Sequence, residues 1–74
     1  MIDKKCLAAF GTALRDERQK AGLTQEALAA ESGLHRTYIG SVERGERNPT
    51  LLSARRVARA LNASISELCR DIDS

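Results

Sequence analysis

Residues 24–45 read TQEALAAESGLHRTYIGSVERG, and the order of polar, apolar and glycine positions in this stretch decides the fold. Thr24 places a side-chain oxygen just ahead of an apolar periodic segment, which is a helix N-cap signal. Leu28 and Ala29 mark the inner side of a helix that ends near Ser32, and Gly33 is its stop. A second helix starts at His35, turns Ile39 and Val42 inward and stops at Gly45. Only Gly33 and Leu34 separate the two helices, so they must cross steeply. Gly33 suits such a turn because it has no Cβ to penalise a positive φ. Ala29 is small where the backbones approach, and Leu28, Leu34, Ile39 and Val42 are apolar where the pair would meet a core. This pattern, over about 24–45, is that of a helix-turn-helix whose second helix enters the DNA major groove. An ordinary corner between two helices would share the spacing, so the exposed face has to separate the two readings.

With Ile39 and Val42 inward, the second helix presents Arg36, Thr37, Gly40, Ser41 and Arg44 on the opposite face. Arg36 and Thr37 stand at its N-terminus, the part that reaches base edges in such motifs. Arginine donates two hydrogen bonds to guanine O6 and N7, while threonine donates or accepts and offers a methyl to thymine. Gly40 lowers helix propensity by about 1 kcal/mol against alanine. It stands either for close approach of backbone to DNA or for a tolerated defect. Glu43 borders the inner face, where an unpaired carboxylate is costly. Either it is tied to a partner or it belongs to a surface pair worth little.

Outward from this motif, Leu7, Phe10, Leu14 and Ala21 form one stripe of a helix over about 4–21, with Gly22 as its C-cap. After Gly45, the polar loop Glu46-Arg47-Asn48-Pro49 leads to Thr50, the cap of a helix whose stripe is Leu51, Ala54, Val57, Ala58 and Leu61. Asn62 ends it. Ser64 and Glu67 have capping-box spacing, so a fifth helix runs over about 64–72 and carries Ile65, Leu68, Cys69 and Ile72. No alternating strand pattern occurs. The expectation is an all-α, compact five-helix bundle forming a single domain over 1–74.

A core within 74 residues rarely leaves more than about 3–5 kcal/mol of stability, so a partner chain or a staple would help. Cys6 and Cys69 lack the spacing of a zinc site, and no metal is expected. A disulfide between them and a pair of reduced thiols both remain open. The net charge is +2, but its distribution is uneven. Residues 36–59 carry Arg36, Arg44, Arg47, Arg55, Arg56 and Arg59 against Glu43 and Glu46, whereas Arg70 is outnumbered in the acidic tail by Glu67, Asp71 and Asp73. Arginine forks onto phosphates and guanine edges. No signal-peptide pattern and no apolar run long enough for a membrane span is present, so a cytoplasmic protein is expected. The single histidine, His35, has no nucleophile or carboxylate pattern around it and reads as a cap or a phosphate neighbour. There is no glycine-rich phosphate loop. No enzyme, no cofactor and no small-molecule ligand are expected.

The run LTQEALAAESGLHRTYIGSVERGERNPTL, from Leu23 to Leu51, closely resembles the XRE family of lambda-repressor-like helix-turn-helix regulators, with similarity over roughly residues 10–68. Within it, LHRTYIGSVERGERNPTL is similar to the controller proteins of bacterial restriction-modification systems, although phage-type repressors and antitoxins share much of the string. The resemblance implies that Gln25 contacts a phosphate at a helix N-terminus. It implies that Arg36, Thr37 and Ser41 read bases, that Tyr38 contacts the DNA backbone, and that Arg44, Arg47 and Asn48 track phosphates. It also implies that Arg18 and Glu43 pair to tie the first helix to the recognition helix. Gly40 departs from the family by leaving a gap where relatives carry a longer side chain. The implied role is a circuit in which paired operator sites are bound cooperatively, low levels activate through RNA polymerase and high levels repress. A phage-type repressor, or an antitoxin-type autoregulator with a toxin partner, is the alternative.

One recognition helix reads too few base pairs to select a site in a genome. A two-fold homodimer on a palindromic operator would set two helices about 34 Å apart, one turn of double-stranded DNA. Ile65, Leu68 and Ile72, with the end of the fourth helix, are the expected dimer surface, unless they only close the core.

Overall fold

The computed structural model describes residues 4–72. Five helices follow one another: α1 (Lys4–Lys20), α2 (Gln25–Ser32), α3 (Arg36–Glu43), α4 (Leu51–Ala60) and α5 (Ile65–Leu68). No strand occurs among the described residues. Three helix starts carry side-chain caps. Thr24 Oγ1 accepts from the Ala27 amide at 3.0 Å, and Thr50 Oγ1 from the Ser53 amide at 3.0 Å. Ser64 and Glu67 form a reciprocal capping box at the head of α5. The ends close as locally. The amides of Gly22 and Leu23 turn back to the carbonyls of Gln19 and Arg18, which leaves Ala21 exposed in the turn rather than on the inner stripe of α1.

The core is aliphatic and small. Leu14, Leu28, Ile39 and Leu68 are fully buried, with Phe10, Ala29, Val42, Ala54, Val57 and Ala58 around them. α3 rests on α1 and α2, while α4 packs on α2 and α5. The shortest helix, α5, packs on α1 and α4.

Three expectations change in α4 and α5. Leu51 does not join the inner stripe of α4. It stands 76% exposed and its neighbour Leu52 58% exposed, because the buried line of α4 runs through Ala54, Val57 and Ala58. α5 stops at Leu68 instead of reaching 72. The carbonyl of Glu67 is taken by Arg70 Nη1 at 3.1 Å, and the same guanidinium reaches Glu17 at 2.8 Å and Asp16 at 3.4 Å on α1. Arg70 therefore ties the chain after α5 back to α1. Leu68, expected on a dimer surface, is fully buried and serves the monomer core.

Candidate nucleic-acid interface

α2 ends on Gly33, whose φ of 75° lets its amide and that of Leu34 both turn back to the Ala29 carbonyl. The chain then enters α3 at His35, which occupies the N-cap position without a side-chain cap bond. Ile39 and Val42 hold α3 against the core. The complementary face leaves Arg36, Thr37 and Arg44 exposed. Arg36 is 66% exposed and its Nε lies 3.9 Å from Glu26, while Arg44 pairs with Glu46 at 3.0 Å. Both pairs are open to water and are worth little, so the arginines can exchange them for another anion.

The far end of α3 is held differently. Arg18 Nε donates to Glu43 Oε2 at 2.7 Å and its Nη2 to Oε1 at 3.0 Å, a bidentate pair with side chains 11% and 4% exposed. Arg18 Nη1 also donates to the Leu23 carbonyl at 2.9 Å, and Gln25 Nε2 donates to Glu43 Oε1 at 3.1 Å. One carboxylate thus joins α1, the head of α2 and the tail of α3. Its hydrogen bonds raise the Arg18 pKa above the usual value, outweighing the burial that acts the other way. Gly11 makes the approach of α1 possible. A Cβ there would strike the carbonyl oxygen of Val42 and stand 2.6 Å from that of Glu43. A glycine amid the amphipathic pattern of α1 was the available signal for this contact.

Several side chains sit otherwise than expected. Gly40 is buried rather than turned to DNA: a Cβ on it would lie 3.1 Å from Arg44 Nη1 and 3.4 Å from Gln25 Oε1, so those two side chains cover it. Ser41 is half-buried, and its hydroxyl donates to the Tyr38 carbonyl at 2.9 Å within its own helix. The Tyr38 hydroxyl is buried without a hydrogen-bond partner among the described residues. Its ring instead supports Arg47, whose guanidinium carbon stands 5.5 Å from the ring centroid. Arg47 and Asn48 are exposed in the loop after α3. Gly33, Leu34, His35, Thr37, Tyr38, Ser41, Arg47 and Ser53 line one open furrow of about 480 Å³ along the helix.

Away from this face, a second cleft of about 330 Å³ runs between α1, the start of α4 and α5. Cys6, Leu7, Leu51, Ile65, Cys69 and Ile72 are among its lining residues. Both cysteines therefore face one apolar cleft. No group of potential metal ligands and no helix long and apolar enough to cross a membrane occurs among the described residues.

A short helix propped outward by its neighbour, with arginine and threonine exposed at its leading end, defines a helix-turn-helix reader of duplex DNA. Residues 14–68 match the family described as Helix-turn-helix, and the chain belongs to that family, of the XRE type. It is 56% identical to the control protein C.SmaI of Serratia marcescens over 74% of this chain and 66% of that protein. It is 40% identical to the control protein C.MunI of a Mycoplasma species over 86% of this chain and 88% of the other. The structure is similar to that of the restriction-modification controller protein C.AhdI from Aeromonas hydrophila, with a TM-score of 0.82, 48% identity, and coverage of 84% of this chain and 94% of that one.

Proposed function

We propose that this chain is a cytoplasmic, sequence-specific transcriptional regulator that binds double-stranded DNA as a homodimer and controls a restriction-modification operon from its own promoter. It works by binding and not by catalysis, and no cofactor takes part. The observation that carries the proposal is the exposed leading end of α3, with Arg36 and Thr37 unobstructed while Arg18 and Glu43 anchor the other end. Likeness to control proteins along most of the chain supports the operon assignment. In this reading Arg36 and Thr37 read base edges, with Ser41 beside them able to accept but already donating to its own helix. Arg44, Arg47 and Asn48 hold phosphates, and Gln25 takes a phosphate only alongside its bond to Glu43.

Dimerisation is assigned to the apolar cleft. In this reading Ile65, Ile72 and Leu51, which line it, form the contact, and the exposed Leu52 next to Leu51 widens it. Leu51→Asp places a carboxylate in the first turn of a helix, where it favours the fold, and in a cleft that a partner must keep dry. It should leave the monomer folded and shift sedimentation from dimer to monomer; an unchanged dimer would move the interface elsewhere.

A footprint of the protein on the region upstream of its own gene tests the whole reading. The expected result is a two-fold symmetric protected site with half-sites one helical turn apart. No protection at low salt would refute it. Neighbouring methyltransferase and endonuclease genes would support the controller role, whereas a neighbouring toxin gene would favour the autoregulator alternative. RNA polymerase contact is the expected route of activation at that promoter.

A further inference from the structure

Arg55, Arg56 and Arg59 stand exposed on α4, and none lies within ion-pair reach of a carboxylate among the described residues. Arg18, Arg36, Arg44 and Arg70 each have such a partner. Like charges within two turns repel and add nothing to the isolated helix. Helical spacing sets Arg55 and Arg56 apart. Arg55 falls one turn beyond Leu51, on the side of the apolar cleft. Arg56 falls one turn beyond Ser53, which lines the furrow along the recognition helix.

The Nη1 atom of Arg56 lies 3.7 Å from the point where a Cβ on Gly33 would stand. α4 therefore lays a guanidinium against the turn that launches α3. On its other side Arg56 lines a shallow furrow with Arg59, Glu31 and Ser32. Glu31 opposes an anion within that furrow, and of the three arginines Arg56 is the one that also borders the turn.

We infer that Arg56 is a further contact to the phosphate backbone of bound duplex DNA, made from α4 across the turn at Gly33 and outside the recognition helix. The inference rests on the DNA-binding reading above. When the leading end of α3 enters a groove, the phosphates at the groove's rim pass the elements that flank that end. Arg47 flanks it through the furrow beside Tyr38, and Arg56 flanks it at the turn. Arginine pairs with phosphate through two parallel hydrogen bonds and stays charged at any working pH.

The test is the salt dependence of binding to a short duplex of unrelated sequence, because a phosphate contact carries no sequence information. Wild type, Arg56→Ala, Arg56→Lys and, as a control on α1 away from both surfaces, Lys20→Ala are compared as full chains, with circular dichroism to check folding. Arg56→Ala should lower the slope of log K against log salt by about 0.9 per bound chain. Arg56→Lys should restore most of it, and Lys20→Ala should leave it unchanged. An unchanged slope for Arg56→Ala, or an equal fall for Lys20→Ala, overturns the inference. So does a loss of promoter activation with the slope intact, which would assign Arg56 to an acidic protein surface. If the wild type ignores duplex DNA at low salt, the DNA-binding reading itself fails, a result visible before any variant is made.

Discussion

Glu43→Ala removes the group on which the placement of the recognition helix turns. The carboxylate is 4% exposed and accepts from Arg18 at 2.7 and 3.0 Å and from Gln25 at 3.1 Å. Without it, Arg18 keeps its bond to the Leu23 carbonyl but loses its counter-charge while 11% exposed. Breaking a buried pair from one side costs about 3–5 kcal/mol. The residual exposure of Arg18 places the expected loss near about 3 kcal/mol, since water can still reach part of the guanidinium. A core of this size supplies roughly 3–5 kcal/mol in all, so the variant should sit at the edge of unfolding and lose DNA binding as a consequence. Replacing both partners, Arg18→Met with Glu43→Leu, should recover most of the stability, because neither charge then has to be buried. The assay is urea denaturation followed by circular dichroism for wild type, both single variants and the double. Protein concentration is held constant, because the stability of a dimer depends on it. A single-variant loss below about 1 kcal/mol, the worth of a surface pair, would refute the reasoning. So would a double variant whose loss equals the sum of the singles.

Arg36→Ala should cost about 1–3 kcal/mol of specific binding and relax preference at one base pair, read by competition with operators altered one position at a time; an unchanged preference would remove Arg36 from the readers. Gly11→Ala should destabilise by about 1–3 kcal/mol or more, because its Cβ would meet two backbone carbonyls that no rotamer change can relieve; a thermal midpoint like that of wild type would show that α1 can slide. Glu67 has its pKa lowered below the usual 4.5 by the hydrogen bonds it accepts from Ser64. A carboxylate depressed in the folded state contributes stability that is complete above its unfolded pKa and fades as pH falls through the folded one. Denaturation midpoints should therefore drop on acidification below the usual value, and Glu67→Gln, which removes the titrating group, should flatten that part of the profile; an equal drop in the variant would place the acid sensitivity elsewhere.

What could be read from the chain follows the distance over which each residue's role is decided. Thr24, Gly33, Thr50 and the Ser64–Glu67 pair act on amides and carbonyls within a few positions, so their chemistry is visible in the string itself. The exposure of Arg36 and Thr37 was equally legible, because it is the geometric complement of burying Ile39 and Val42 on an eight-residue helix. Leu51 and Leu68 are both apolar at helical spacing, yet one is 76% exposed and the other fully buried. That difference depends on how α4 and α5 pack, which no local pattern carries. The same limit applies to the two mid-helix glycines: Gly11 meets a carbonyl 32 positions away, and Gly40 is covered by Gln25, 15 positions back, as well as by Arg44 one turn on. The tyrosine shows the limit at its sharpest, since position alone puts Tyr38 beside the DNA-facing surface while its rotamer turns the hydroxyl inside and leaves the ring to carry Arg47. Side chains that act through a partner across the fold are thus where a family resemblance and the geometry can part. Along this face the Tyr38 hydroxyl is such a case, while Arg36 and Thr37, which need nothing but to be left uncovered, are exposed where the string put them.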